Sequence, residues 1–336
     1  MGGWSNSGFS DPGSSAYNPA MAALPAILVT GASSGIGLAT AQLLSKSGYR
    51  VFAGVRTLSD RSIQENLSEI ELDVSDESSI RAAVQKMEHE LKGSGLAGLI
   101  NNAGIADVAP IEFHPVRNFR EVFEVNVFGL VAVTQAFLPL LHRTQGRIVN
   151  IGSIGGLITI PFGATLCASK HAVEAISDCM RLELYPAGIH VTCLQPASIN
   201  SGSAEKLAAK NEQTIAALSP EGQRRYADML RRFMKVTMES ETKGSPPSLV
   251  ARAVLDVLRS EVPPARKLVG KDHLLLKLAA KALPDSIRDR LFRRIFFGSP
   301  SFGSCLASQD QDTEHHSPAV SNTRLRGDSP PTHPNA

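Results

Sequence analysis

An α/β fold built on a single doubly wound parallel sheet, with helices on both faces, follows from three features of this 336-residue sequence. Short β-branched runs alternate with helical stretches along most of its length. A glycine-rich turn joins the first such run to the first helix. The alternation continues without a break that would separate a second domain. Strand–helix alternation of this kind gives parallel strands, because parallel neighbours cannot be joined by a tight turn and need a crossover element.

The strand runs are AILVT (26–30), RVFAGV (50–55), IELDV (70–74), GLINN (98–102), RIVNI (147–151), HVTCLQ (190–195) and KLVG (267–270). Runs this short and apolar suit strands covered on both faces. After the first run comes IGLATAQLLSKSG, helical in period, with Gly48 as its natural stop. DESSIRAAVQKMEHELKG opens on acidic residues, which complement the positive end of a helix. One domain is expected over 25–298, between a leader (1–24) and a tail (299–336) rich in polar, Gly, Ser and Pro residues. Neither end carries enough apolar surface to order itself, so both are expected to be disordered. The Arg-Gly-Asp at 326–328 in the tail reads as coincidence.

Composition excludes several function classes. Lys+Arg 34 against Asp+Glu 32 leaves a net charge of +2, so no basic field for nucleic acid exists. The four cysteines, Cys167, Cys179, Cys193 and Cys305, have no metal-ligand spacing and read as free thiols, so no metal is expected. No run approaches the ~18 apolar residues of a spanning helix. No Lys or Arg precedes Lys46, so a secretory basic region is lacking and a cytoplasmic location is expected.

The chemistry concentrates at one end of the sheet. LVTGASSGIGLATA places Gly31, Gly35 and Gly37 after the first strand and at the opening of the first helix. Glycines there allow a tight turn and let backbone N–H groups approach a pyrophosphate at the helix's positive end, as in Rossmann-type folds. No Gly-Lys-Ser/Thr follows, which excludes a P-loop. The second strand ends in Val55 and Arg56, where a cofactor with a free 2′-hydroxyl usually meets an acid. An arginine can instead pair with a 2′-phosphate, which favours NADP over NAD; the alternative is a solvated strand-end residue.

TGASSGIG (30–37), LDV (72–74), NNAG (101–104), FEVNVFG around Asn126, VNIGS (149–153), ASK (168–170) and QPASINS (195–201) follow in order. Together they resemble the short-chain dehydrogenase/reductase family, in its retinol and hydroxysteroid dehydrogenase-like flavour. The resemblance implies that Gly31, Ser33, Ser34, Gly35, Ile36 and Gly37 wrap the pyrophosphate and adenine ribose. It implies that Asp73 and Val74 meet the adenine, and that Asn101, Asn102 and Gly104 steady the central strand beside the cofactor. Asn126 matches the residue that holds a helix kink and a relay water, Ser153 the one that orients the substrate oxygen. Lys170 matches the lysine that binds the nicotinamide ribose. Ile199 and Ser201 fall where the family contacts the nicotinamide carboxamide.

Two positions depart from the family pattern. The tyrosine of its Tyr-x-x-x-Lys pair is Leu166, and the glycine of its Pro-Gly pair is Ala197. A Cβ at a φ > 0 glycine position would strain the loop by about 1 kcal/mol. Leu166 is the graver change, since leucine has no proton to give and general acid–base catalysis is worth ~10²–10⁴-fold. Thr165 and Cys167 lie about 100° away around the helix. His171 reads as a packed or solvated residue, Ser153 is a poor acid, and Tyr226 is the remaining tyrosine nearest to a plausible reach.

The lid is expected over 198–245, with Met229, Leu230, Phe233, Met234 and Val236 either lining an apolar pocket or packing on the core at helical spacing. The basic amphipathic stretch 271–298 reads either as a weak peripheral contact with an anionic membrane or as a terminal helix over the pocket. Two functions compete. One is an NADP(H)-dependent oxidoreductase acting on an alcohol or carbonyl of a small, apolar or lipid-like molecule. The other is a cofactor-binding pseudoenzyme with a regulatory or partner-binding role. A homo-oligomer paired through helices at about 118–142 and 165–186 is implied by analogy with the family.

Overall fold

The computed structural model describes residues 24–59, 66–271 and 282–298. Of the expected leader only Leu24 is described, and the tail 299–336 lies outside the described residues. Among the described residues are seven strands: β1 (Ala26–Thr30), β2 (Arg50–Val55), β3 (Leu67–Glu71), β4 (Gly98–Asn101), β5 (Arg147–Ile151), β6 (His190–Pro196) and β7 (Arg266–Val269). The helices are α1 (Gly35–Lys46), α2 (Glu77–Leu91), α3 (Val116–Phe123), α4 (Gly129–His142), α5 (Ala164–Glu183), α6 (Ser203–Ala216), α7 (Pro220–Thr242), α8 (Pro247–Arg259) and α9 (Asp285–Phe297).

The strands form one parallel sheet in the order β3-β2-β1-β4-β5-β6-β7, so the direction of winding reverses between β1 and β4. Alternation along each strand feeds two cores. Leu28, Phe52, Leu99 and Ile148 pack on Ile80 and Met87 of α2 and on Val133, Phe137 and Leu140 of α4. Ile27, Val29, Val51, Ile100 and Val149 pack on Ala41 and Leu44 of α1 and on Val250 and Val254 of α8. The doubly wound sheet expected from the sequence is the observed fold.

Four strand ends shift: β6 runs one residue further, to Pro196, and three others move for local reasons. β3 ends at Glu71 rather than running over 70–74. Asp73 Oδ1 accepts from the Ser75 N–H at 2.9 Å and the Ser75 hydroxyl at 2.6 Å, a side-chain turn that takes Asp73 and Val74 out of the ladder, while the Leu72 N–H still donates to Val55 O at 2.8 Å. β4 stops at Asn101 because the Asn102 N–H leaves the ladder for Thr30 Oγ1, 3.0 Å away. β7 stops before Gly270, whose φ of +116° no ladder residue adopts.

Two further expectations are corrected. Among the described residues the non-glycine positions at positive φ are Asn66, Lys92, Gln145 and Phe162, so Ala197 is not one of them. Ala197 donates its N–H to Val269 O at 2.8 Å, and the expected strain does not arise. The helical run Val116–His142, continuous through a π-helical turn at Glu124–Phe128, is also long and apolar enough to cross a membrane. Half of its apolar stretch is buried, with Val133, Phe137 and Leu140 in the core, as in a core helix.

Candidate active site

The carboxyl ends of β1, β4, β5 and β6 converge where the strand order reverses. Gly31 (φ +63°) and Gly35 (φ +56°) make the turn from β1 into α1, with Ser33 and Ser34 between them. A Cβ on Gly31 would stand 2.8 Å from Ala103 Cα, and one on Gly37 would collide with the Gly31 carbonyl and stand 2.5 Å from Asn102 Nδ2. The turn is thus drawn onto the NNAG segment as tightly as glycine permits. Asn102 secures it, its side-chain amide donating to Thr30 O (2.9 Å) and Gly31 O (3.0 Å). Thr30 Oγ1 accepts from the N–H groups of Asn102 and Ala103, each at 3.0 Å. A backbone held this close leaves room over it for a phosphate and none for a side chain, so the turn fits a dinucleotide.

The adenine side is assembled from neighbouring strand ends. Arg56 is exposed just past β2 and has no ion-pair partner among the described residues. Asp73 is half-buried in its turn and Val74 is buried, its carbonyl so placed that a Cβ on Gly129 would come within 2.7 Å. Ile36 packs its side chain against the core of the α1 face.

Under the cleft runs a buried polar spine. Asn101 Nδ2 donates to Thr134 Oγ1 and Asn150 Oδ1, both at 2.9 Å, and Asn150 Nδ2 donates to Ser177 Oγ at 2.9 Å. Asn101 therefore braces β4 against α4 and β5, and a Cβ on Gly104 would stand 3.2 Å from Asn126 Oδ1. Asn126 sits in the π-helical turn, which widens the helix and turns its side chain onto the strand end. Its Oδ1 accepts from the Ile105 N–H at 2.8 Å, and its Nδ2 donates to Ile105 O at 2.9 Å and Ser169 Oγ at 3.0 Å.

Lys170 lies on α5 and is 9% exposed. Its ammonium donates to Ile151 O at 2.8 Å, and a Cβ on Gly104 would stand 3.8 Å from its Nζ. Burial pulls its pKa down to about 8, with Glu174 opposing. Ser153, just past β5, accepts the Gly155 N–H at 3.0 Å, which leaves its own O–H for the cleft. Leu166, half-buried, occupies the first turn of α5, one turn before Lys170. Of the neighbours on that turn, Thr165 is buried and donates its hydroxyl to Asp107 O at 2.7 Å, while burial raises the pKa of the Cys167 thiol. The Tyr226 hydroxyl donates to Glu112 Oε2 at 2.8 Å. The arrangement can hold and polarise an oxygen, and it presents no phenol.

On the far wall the side chain of Ile199 is buried in the α8-side core, which leaves its backbone at the strand end. Ser201 is held by Glu241, which accepts its hydroxyl at 2.9 Å and its N–H at 3.2 Å. The same carboxylate accepts the N–H groups of Ser203 (3.1 Å) and Ala204 (2.6 Å), capping α6 from the end of α7. In the lid Leu230, Phe233 and Met234 are buried at helical spacing, in satellite cores with Phe162 and Phe296.

Sequence reasoning missed a buried ionic cluster. Asp107 accepts from His114 Nε2 (2.9 Å) and Asn118 Nδ2 (2.6 Å) and pairs with Lys210 of α6 at 2.8 Å. Burial pushes its carboxyl upward, but these bonds outweigh it and hold the group well below the usual carboxylate range. No motif marks the cluster, because its partners come from separate elements. A cavity of about 540 Å³ was equally hidden; it lies on the Ala164, Cys167, Ala168 and His171 face of α5 and is closed by Ile160, Phe162 and Tyr226. That face is turned away from Leu166 and Lys170, so the cavity flanks the cleft rather than forming it. Among the described residues no cluster of three His, Cys, Asp or Glu can hold a metal.

A crevice at the reversal of strand order, lined by a phosphate-hugging turn, defines a dinucleotide-binding α/β protein. Comparison narrows that class. Residues 25–212 match the family described as short chain dehydrogenase. The chain is 33% identical over 279 residues to dehydrogenase/reductase SDR family member 9 of Bos taurus, covering 79% of this chain and 86% of that protein. It is 32% identical to an NADPH-dependent 3-dehydrocapnine reductase of Ornithobacterium rhinotracheale, covering 79% and 95% of the two chains. A short-chain dehydrogenase of Streptomyces avermitilis superposes with a TM-score of 0.62 at 25% identity, over 81% of this chain and 96% of that one. The chain belongs to the short-chain dehydrogenase/reductase family.

Proposed function

We propose that this protein is an NADP(H)-dependent oxidoreductase that interconverts an alcohol and a carbonyl on an apolar, lipid-like molecule, and that it turns over slowly. The observation that carries the reading is the set Asn126, Ser153 and Lys170, kept in place around a cleft whose nucleotide end is complete. The Gly31–Gly37 turn would hold the diphosphate, Arg56 the 2′-phosphate, Asp73 and Val74 the adenine, and Lys170 the nicotinamide ribose. The cofactor, when bound, supplies the hydride. Ser153 donates its hydroxyl proton toward the substrate oxygen and orients it. Lys170 places a cation beside the oxygen as charge develops there, and Leu166 closes the cleft without a proton to offer. Reduction still needs a proton at that oxygen, which is why slow turnover belongs to the proposal.

An apolar substrate is supported by the cavity beside the cleft and by the aromatic lid. A peripheral membrane contact is supported by α9. Its Ile287, Leu291 and Ile295, spaced four apart, are exposed on one stripe, with Arg290, Arg293 and Arg294 exposed beside them. Pairing of copies through the α3–α4 run and α5 is supported by Phe128 and Leu182, large apolar residues exposed on those helices.

Leu166 favours a second reading, a cofactor-binding pseudoenzyme that acts through its nucleotide state. One experiment separates the two: NADPH and NADH titrations of the purified protein, then turnover with retinoids, steroids and short ketones. Tight NADPH binding with measurable turnover on an apolar member supports the enzyme. Binding with no turnover on any member supports the pseudoenzyme. Failure to bind either nucleotide removes both.

A further inference from the structure

The lid helix α6 stands over the phosphate turn. Its leading segment is packed there, since a Cβ on Gly35 would lie 3.2 Å from the Ser201 carbonyl. One turn into the helix, Lys206 extends its ammonium to 3.5 Å from Ser34 Oγ. Ser34 is the residue that precedes α1, and its side chain makes no capping bond to that helix. The first N–H groups of α1 are thus left to an external acceptor. Among the described residues no carboxylate pairs with Lys206. Lys210, four residues on and on the same helical face, is in contrast committed to the buried Asp107 at 2.8 Å.

We propose that Lys206 is a cofactor-binding residue whose ammonium clamps the dinucleotide's diphosphate against the glycine-rich turn. α6 is fixed at two points that leave Lys206 little choice of direction. Glu241 caps its first turn through the Ser203 and Ala204 N–H groups, and Lys210 pins its middle to Asp107. Between these anchors the Lys206 stem spans from lid to turn and places a full positive charge beside the partial charges of the α1 terminus. A diphosphate is the anion that such a pair suits: its oxygens accept from the N–H groups below, and its charge meets the ammonium above. Arg56, at the end of β2, reads the opposite end of the adenosine, so the two cations divide the phosphates between them. The inference rests on the dinucleotide reading of the cleft.

Dissociation constants for NADPH, NADH and adenosine 2′-monophosphate test it in the unmutated protein, Lys206→Gln, Lys206→Arg and Arg56→Ala. The monophosphate carries the 2′-phosphate and no phosphate at the 5′ position. Lys206→Gln is expected to weaken NADPH and NADH alike, by about tenfold, and to leave the monophosphate unchanged. Lys206→Arg should retain both dinucleotides, and raised salt should erase the difference. Arg56→Ala should weaken NADPH and the monophosphate and spare NADH. Lys206 is exposed, so unchanged melting of its variants shows that the fold is intact. The proposal is overturned if Lys206→Gln binds all three as before, or if it weakens NADPH and the monophosphate but not NADH, which would move the contact to the 2′-phosphate. An unmutated protein that binds none of the three refutes the dinucleotide reading itself.

Discussion

Leu166 stands one turn before Lys170, with Ser153 at the edge of the same cleft and Asn126 bracing the strand end behind it. Leu166→Tyr restores a phenol where the ammonium can lower its pKa from about 10 toward neutrality. The expected outcome is a rise in kcat of ~10²-fold or more with NADPH and a substrate that the protein binds. Adding Lys170→Met to the revertant should erase the gain, because the phenol loses its charge partner. A revertant that binds cofactor and substrate yet turns over no faster than its parent would show that the defect is not confined to this residue. Most of this geometry was legible in the sequence, because a four-residue spacing within one helix and a glycine turn after a strand translate directly into position. Ile199 and Ser201 were less legible. Their side chains are claimed by a core and by Glu241, and neither neighbour is near in sequence.

At the scale of elements, α6 is the clearest case of structure that sequence does not announce. Its periodicity marks a helix, but where it docks is decided by Asp107, a loop residue that joins His114, Asn118 and Lys210. The folded Asp107 carboxyl lies below its ordinary value, so the folded state holds that proton less well than the unfolded chain does. Its stabilisation is therefore complete above the unfolded pKa of about 4 and is lost as the pH falls through and below that value. Asp107→Asn should cost on the order of 2–3 kcal/mol at pH 7. The gap to the unmutated protein should shrink as the pH is lowered below 4, as denaturant titrations would read. A gap independent of pH would show that the carboxylate's charge does not hold α6. The shifted end of β3 has a related cause: Asp73 bonds its own turn and takes itself and Val74 out of the sheet.

For the whole molecule, the order of the strands determines where everything else can be. Reversal between β1 and β4 opens one crevice at the carboxyl ends, and the lid helices close over it from the β6–α8 connection. α9 completes that side of the molecule. Its Phe296 rests on Phe233 of α7, and its Phe297 on Phe162, with ring centroids 5.4 and 5.8 Å apart. Phe162 also walls the cavity, so the helix that bears the outward Ile287, Leu291 and Ile295 stripe is tied to the aromatic wall of the apolar site. The basic amphipathic character of this segment was legible from sequence; the division of its apolar residues into an inner aromatic set and an outer aliphatic stripe was not, since that depends on the face α7 covers. An exposed aliphatic stripe beside three exposed arginines suits a bilayer interface, where each cation near an anionic surface contributes about 1 kcal/mol. The protein is therefore expected to co-sediment with phosphatidylserine-containing vesicles at low ionic strength and to stay in solution with purely zwitterionic ones. Raising the salt should release it, because the Debye length contracts to ~8 Å at physiological ionic strength and to ~3 Å at 1 M. Arg290→Glu with Arg293→Glu should abolish binding at low salt and leave NADPH affinity as it was, since neither residue lies near the phosphate turn. Leu291→Ser should weaken binding while preserving its dependence on salt, because it removes apolar contact and not charge. If the unmutated protein stays in the supernatant with phosphatidylserine vesicles even at low salt, α9 does not bind membranes, and the stripe is left for contact with protein.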